Sequence, residues 1–230
     1  MRAEDSELKK GKEIFMKSNT RKLMVCSMMI AIATVLALIC EYIPFLNLPF
    51  GGGFTIASML PIVLASYMFG IGWGLGTAFT YSLVQMLVGF RTVSAFFIPS
   101  DDNYAGSLVA ALSICFIDYV LAYTVLGFGG LFRKMKSKCV ALTLGVIVAL
   151  SLRYLAHIVS GYIFFGAWAE WFFTQEGFYS IGESIMSTFS GSGLALVYSI
   201  FYNGLYMIPE MAITSIAAIG VSRLPQIKKT

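Results

Sequence analysis

Long runs of apolar residues, separated by short polar segments, dominate the chain. Six runs approach the roughly 20 residues that an α-helix needs to cross a hydrocarbon core. We expect these helices near residues 22–43, 56–70, 71–90, 107–132, 139–166 and 194–222. The second run is the shortest, and "FGIGWG" separates it from the third as either a tight reversal or a kink. The pattern predicts an all-α membrane protein, a compact bundle of six transmembrane helices.

Composition agrees with this pattern. Hydrophobic residues make up 58% of the chain and charged residues 12%, and the mean hydropathy is +0.80. A soluble domain has about 25% charged residues, so we expect a multi-pass protein of a bacterial cell membrane. The first apolar run follows a polar segment and has no cleavage site after it, so we expect the first helix to be retained. The four cysteines lack paired spacing and are interpreted as packing residues.

Basic residues indicate the orientation, because Lys and Arg favour the cytoplasmic side. They concentrate before the first helix, in the loop 133–138 and in the tail. The opposite side holds Arg91 against the acidic residues Asp101, Asp102, Glu170, Glu176 and Glu183. We therefore expect both termini in the cytoplasm. The predicted organisation is a cytoplasmic basic segment 1–21, a six-helix domain 22–222 and a cytoplasmic tail 223–230. Acidic residues interrupt the basic clusters, which argues against nucleic-acid binding.

Common catalytic motifs are absent from the sequence. It contains no G-x-x-x-x-G-K-[ST] loop for ATP, no G-x-S-x-G and no H-E-x-x-H, and it has a single histidine. The pair Gly72 and Gly76 is typical of close helix packing in lipid. We therefore expect binding and transport rather than enzymatic chemistry, with no metal and no cofactor.

A few ionisable residues fall inside the predicted helices, where each costs a few kcal/mol and calls for a partner or a cavity. These residues are Glu41, Asp118, Arg153, His157 and Glu210. At 1.5 Å per residue, Asp118, His157 and Asn203 all lie roughly 13–16 Å below the outer ends of their helices. Arg153 lies one turn further in, on the same helix face as His157.

Aromatic residues flank this level. Tyr119 follows Asp118, Phe165 lies above His157, and Tyr198 and Tyr202 surround Asn203. Because ring faces attract cations and a carboxylate neutralises them, the set predicts an outward-facing pocket for a planar aromatic cation. A buried Asp118–Arg153 pair that only locks two helices together explains the same charges, and spacing does not decide between the two.

Four stretches resemble a known family. They are "GGGFTIASMLPIVLASYMFGIGWGLGTAFTYSLVQMLVG" (51–89), "IDYVLAYTVLGFGGLF" (117–132), "LRYLAHIVSGYIFFG" (152–166) and "VYSIFYNGLYMIP" (197–209). Together they are similar to the thiamine-binding S component of energy-coupling-factor (ECF) transporters. The resemblance implies a membrane subunit that captures thiamine, vitamin B1, from outside. It also implies a transmembrane coupling protein and two cytoplasmic ATPases as partners, which hydrolyse the ATP.

The resemblance also assigns residue roles. The substrate-binding residues that it implies are Asp118, Tyr119, Arg153, His157, Phe165, Tyr198 and Asn203, with Trp168 one turn from the stacking position. Asp118 is expected to balance the thiazolium charge, while His157, Tyr198 and Asn203 offer directional hydrogen bonds. An A-x-x-x-A face formed by Ala33 and Ala37 is expected to dock on the coupling protein.

Departures from the family keep other functions open. Some members carry a tryptophan lid in the first outer loop, where Phe50 and Phe54 are the nearest aromatics here. The outer loops 91–106 and 167–193 are long, and the second is either an amphipathic surface helix or a lid. The alternatives are an S component for another vitamin or a thiamine precursor, an intramembrane enzyme using Asp118 and His157, and a structural subunit. Glu210 receives no ligand role; a local bond or a coupling-protein contact remains open for it.

Overall fold

A computed structural model describes residues 2–48, 53–98 and 107–228, with only the backbone at residues 2–17, 226 and 228. Six principal helices follow one another: α1 (Arg2–Glu41), α2 (Leu60–Phe69), α3 (Ile71–Val88), α4 (Leu108–Gly130), α5 (Lys138–Phe164) and α6 (Gly191–Val221). Shorter helices cover Phe90–Ala95, Ala169–Phe173, Tyr179–Thr188 and Pro225–Lys228. Phe50, Asp101 and Asp102 lie outside the described residues.

Five segments are long and apolar enough to cross a membrane: Ser18–Glu41, Ile71–Val88, Leu108–Gly130, Lys138–Phe164 and Gly191–Val221. The prediction of an all-α membrane bundle is confirmed. The first helix starts much earlier than residue 22, at Arg2. Hydrophobicity marks the part of a helix that enters lipid, whereas helical hydrogen bonding continues into the polar residues before it. The remaining predicted bounds agree within a few residues, except at the second helix.

Helix α2 differs from its prediction over 56–70, because it begins only at Leu60 and spans 10 residues. At 1.5 Å per residue it is about 15 Å long, half of what a bilayer core requires. Every residue from Leu60 to Tyr67 is buried, so the helix is surrounded by protein. This surrounding permits the irregular backbone before it, since non-helical chain at membrane depth is tolerated where protein covers it.

A single glycine reverses the chain between α2 and α3. Gly70 has φ +93°, a left-handed conformation that favours glycine. A Cβ on Gly74 would lie 2.3 Å from the side chain of Ser66, so the two helices pack closely as a hairpin. The segment "FGIGWG" is therefore a tight reversal.

Helix α4 is irregular along its length. A π-helical stretch covers Cys115–Leu121 and a 3₁₀ stretch covers Val125–Gly130. Ser66 Oγ donates to the carbonyl of Gly127 and accepts from the N–H of Gly130 at 2.9 Å. A Cβ on Gly145 of α5 would lie 2.1 Å from the carbonyl oxygen of Gly129. Glycines thus allow α2, α4 and α5 to approach one another closely.

The loop at 167–193 forms a helical cap beside α6. Phe172 and Phe173 are fully buried, and Phe172 packs against Tyr198 with 5.4 Å between ring centroids. The Tyr179–Thr188 helix carries Ile185 against this aromatic cluster and exposes Ile181. Of the two expectations for this loop, the structure shows an amphipathic surface helix.

Candidate functional site

A cavity of about 470 Å³ lies between α4, α5 and α6. Its lining residues are Gly53, Thr92, Phe96, Asp118, Tyr119, Tyr123, Arg153, His157, Gly161, Phe165, Tyr198, Tyr202, Asn203 and Tyr206. Apart from Gly53, Thr92 and Phe96, all of them belong to these three helices or to the residue that ends α5. Asp118, His157 and Asn203, which the depth count predicted to lie at one level, all line this cavity.

Most residues to which the family resemblance assigned a ligand role meet in this cavity. Asp118, Tyr119, Arg153, His157, Phe165, Tyr198 and Asn203 all line it. Trp168 is not part of the lining, and its ring packs edge-on against Trp171 with 5.5 Å between centroids. Phe165 is instead met by Phe96 at 6.3 Å. The aromatic wall at this end of the cavity is therefore built from phenylalanines.

The π-helical stretch of α4 places the Asp118 carboxylate against α5. One oxygen lies 2.8 Å from His157 Nδ1, and the other accepts a hydrogen bond from Ser160 Oγ at 2.6 Å. The Asp118 side chain stays 18% exposed. Since a carboxylate offers about four acceptor sites, two donors leave capacity for a ligand. Within the described residues, Asp118 is hydrogen-bonded to His157 and Ser160 and makes no ion pair with Arg153, so the alternative Asp118–Arg153 pair is wrong.

His157 presents its second nitrogen without a partner in the described structure. Nδ1 faces the carboxylate of Asp118, so a neutral ring carries its proton there and leaves Nε2 as an acceptor. Nε2 is buried and makes no hydrogen bond with any described residue. A buried acceptor without a donor costs free energy. A ligand N–H or O–H group would satisfy it.

Arg153 occupies the deeper end of the cavity. Its guanidinium carbon lies 4.3 Å from the centroid of the Tyr123 ring, and one terminal nitrogen contacts the sulfur of Met59. Its Nε has no hydrogen-bond partner among the described residues. A cation over an aromatic face is stabilised by the ring quadrupole. Arg153 is thus held mainly by an aromatic ring rather than by a carboxylate.

Asn203 joins α5 to α6 at the level of His157. Its amide nitrogen donates to the carbonyl of Ser199 at 2.8 Å and to that of His157 at 3.2 Å. Its carbonyl oxygen accepts a hydrogen bond from the Tyr206 hydroxyl. The protein already uses both of its amide protons. Any ligand contact by this side chain therefore falls on the remaining acceptor capacity of its oxygen.

Several site residues were missed in the sequence, although helical spacing marks them. Ser160 follows Arg153 and His157 at i+7 and i+3, which places the three on one face of α5. Tyr206 extends a series in which tyrosines recur every four residues, with ring centroids 5.5 Å and 6.3 Å apart. The helical period predicts both additions. Gly53, Thr92 and Phe96 have no such signal, because they come from connecting segments.

Glu210 lies outside the cavity lining and is only 1% exposed. Its carboxylate accepts hydrogen bonds from the backbone N–H and the hydroxyl of Thr55, and from the hydroxyl of Thr214 at 3.2 Å. Local bonds therefore satisfy this charge within the bundle. Asp118 and Glu210 carry two negative charges and Arg153 one positive charge, so with His157 neutral these residues sum to −1.

The two alanines of the expected docking face differ in environment. Ala33 is fully buried in the core, and Ala37 is partly buried. The exposed surface of α1 carries larger apolar residues: Met24, Met28, Ile32, Val35 and Ile39. Close packing by Ala33 thus serves the interior of this bundle. Among the described residues, no group of three or more His, Cys, Asp or Glu side chains is arranged to hold a metal ion.

Sequence and structure comparisons identify known proteins that are similar to this chain. The profile of the family described as Thiamine transporter protein (Thia_YuaJ) matches residues 23–181. The thiamine transporter ThiT of Bacillus subtilis (strain 168) is 30% identical over 210 residues, which cover 86% of this chain and 90% of that protein. A solved structure of ThiT from Listeria monocytogenes shares the fold, with a TM-score of 0.61, 21% identity, and coverage of 92% and 98% of the two chains. The chain therefore belongs to the thiamine transporter protein family.

Proposed function

We propose that this chain is the substrate-capture subunit, the S component, of an ECF-type importer, and that it binds thiamine from outside in the cavity between α4, α5 and α6. The observation that carries the proposal is the Asp118 carboxylate, held beside aromatic rings in a cavity of about 470 Å³. This volume falls within the range of roughly 300–1,000 Å³ that small-molecule sites occupy.

Charge favours a monocationic ligand. Asp118, Glu210 and Arg153 sum to −1, and the thiazolium ring of thiamine carries +1, so the complex is neutral. Neutrality matters here because an uncompensated charge in a low-dielectric environment is costly. Asp118 then faces the thiazolium ring, and tyrosine and phenylalanine rings stack on the ligand. His157 Nε2 accepts a hydrogen bond from the amino group or the hydroxyl group of thiamine.

Energy for uptake comes, in this proposal, from a transmembrane coupling protein and two cytoplasmic ATPases. The family resemblance supports these partners, and the sequence has no phosphate-binding loop of its own. The exposed apolar face of α1 is available for lipid or for the coupling protein. Both termini lie in the cytoplasm in this arrangement, and the cavity opens outward.

An intramembrane enzyme is the second candidate, because Asp118 and His157 lie 2.8 Å apart, a distance suited to proton transfer. The position of Ser160 argues against a nucleophilic mechanism. In a serine hydrolase the histidine lies between the serine and the carboxylate, so that it accepts the hydroxyl proton. Here the Ser160 hydroxyl donates directly to Asp118. The network orders a carboxylate and does not place the histidine between the carboxylate and the serine.

Titration calorimetry of the purified chain tests ligand identity. Thiamine, its pyrimidine half and riboflavin are compared at micromolar protein concentration. We expect heat with thiamine, weaker binding of the pyrimidine half and none with riboflavin. Absence of heat with thiamine refutes thiamine capture. Coupling is tested separately in vesicles that contain the chain with its partners; thiamine uptake that does not depend on ATP contradicts the importer assignment.

A further inference from the structure

The buried carboxylate of Glu210 is hydrogen-bonded to a segment that is distant in sequence. Its hydrogen bonds to Thr55 join residues that are 155 positions apart. The Thr55 hydroxyl lies 2.8 Å and 2.9 Å from the two carboxylate oxygens, and the Thr55 N–H donates to one of them. Hydrogen bonds to an ionised acceptor are roughly twice as strong as neutral ones. Glu210 is therefore a strong anchor for the connection between α1 and α2.

That connection borders the cavity at two places. Gly53, two residues before Thr55, is part of the cavity lining. Met59, four residues after it, is buried and touches the guanidinium of Arg153 with its sulfur. Thr55 lies between these two contacts. Anchoring of Thr55 therefore acts on the stretch of chain that joins these two contacts.

The segment contains one unfavourable backbone conformation that its contacts must offset. Ala57 has φ +57°, a left-handed value that costs a non-glycine residue about 1–2 kcal/mol. The N–H of Ile56 donates to Cys40 Sγ at 3.2 Å, and thiol sulfur is a weak acceptor. The Thr55 and Ser58 hydroxyls are 2.6 Å apart, which extends the Glu210 contact to a fully buried side chain. The charged carboxylate is the strongest side-chain acceptor for this segment, which is also held by the Phe54 N–H bond to the Leu46 carbonyl at 3.0 Å.

We propose that Glu210 is a positioning residue for thiamine binding: through Thr55 it holds segment 53–59 in the conformation that completes the cavity, without touching the ligand. This inference rests on the proposed function. Only molecules with an ordered segment bind thiamine. Weakening the anchor lowers the fraction of such molecules, and the apparent affinity falls in proportion to that fraction. The loss falls on the association rate, whereas loss of a direct ligand contact mainly raises the dissociation rate.

Two matched substitutions of Thr55 test the anchor in the purified full chain. Thr55→Val removes the hydroxyl at similar volume, and Thr55→Ser retains it. Amide hydrogen exchange over 53–59 is measured without ligand, and thiamine association and dissociation are followed by stopped-flow tryptophan fluorescence. We expect Thr55→Val to accelerate exchange and to raise the Kd about tenfold through a slower association rate. Thr55→Ser is expected to stay within about twofold of the parent chain.

Glu210→Gln provides the second arm, with Thr214→Val as its control. Thr214 contacts the same carboxylate but not the segment, so its substitution is expected to leave exchange over 53–59 unchanged. Glu210→Gln also removes one buried negative charge. A neutral thiamine analogue, with carbon in place of the thiazolium nitrogen, separates the two effects: a positioning loss weakens both ligands, and a purely electrostatic loss spares the neutral one.

Distinct results overturn the inference and the proposed function. Faster exchange with unchanged thiamine kinetics shows that the segment does not control binding. Equal losses for Thr55→Val and Thr55→Ser exclude the hydroxyl contact. If Glu210→Gln does not fold, the Thr55 pair decides. If the parent chain binds no thiamine, the proposed function fails, while exchange in the ligand-free chains still shows whether Glu210 orders the segment.

Discussion

Asp118→Asn is the most direct test of a cation site, because it removes a charge and keeps the shape of the side chain. The carboxylate is about one-fifth exposed, at 18%, so an effective dielectric constant near 20 applies. Two unit charges 4 Å apart then interact by about 4 kcal/mol. Part of this is offset by the desolvation of both groups. We expect a net loss of about 2–3 kcal/mol, which raises the thiamine Kd roughly 30- to 150-fold.

Titration calorimetry with thiamine and with its neutral carbon analogue measures this loss separately for the two ligands. The analogue is expected to bind the parent chain more weakly than thiamine does and to lose little further affinity to Asp118→Asn. Ser160→Ala serves as the matched control, since it removes a donor to the same carboxylate and leaves the charge. Equal losses for both ligands, or an unchanged thiamine Kd, would refute the electrostatic role.

Three further predictions follow from the geometry of the site and its scaffold. His157→Ala should raise the thiamine Kd about tenfold in calorimetry, because the substitution removes a hydrogen-bond acceptor from the cavity wall. The protein should remain monodisperse in detergent, and aggregation of the variant contradicts this prediction. Gly145→Ala should lower the melting temperature in a thermal-shift assay, since its Cβ would lie 2.1 Å from the Gly129 carbonyl oxygen, and an unchanged value would show that α4 and α5 separate easily. Tyr123→Leu should destabilise the chain by about 1–2 kcal/mol relative to Tyr123→Phe in denaturant unfolding, because only the phenylalanine retains a ring beneath Arg153; equal stabilities of the two variants exclude the cation–π contact.

The apolar runs were sufficient to predict the membrane-crossing helices. A helix in lipid must be apolar along about 20 residues, so hydrophobicity and length report it directly. The same signal misjudges α2, which is short and enclosed by protein on all sides. Hydrophobicity marks an environment without water, and the interior of a protein and the interior of a bilayer are alike in this respect.

The level of the site was also readable from sequence, because helical rise is constant and depth follows from counting. Pairing was not. Spacing along α5 is compatible with Asp118 meeting either Arg153 or His157, and the π-helical stretch of α4 decides for His157. A wider turn rotates the side chains that follow it, and a count at 3.6 residues per turn does not contain that rotation.

By itself, then, the sequence determined the membrane fold, the polar level within it and the helices that carry the site. Tertiary structure alone decided which groups touch: the Asp118–His157 pair, the position of Arg153 over Tyr123, the burial of Ala33 and the bond between Glu210 and Thr55. The physical reason is that period and hydrophobicity are local properties of the chain. Contacts between helices depend on their relative rotation and on the glycines that let them approach.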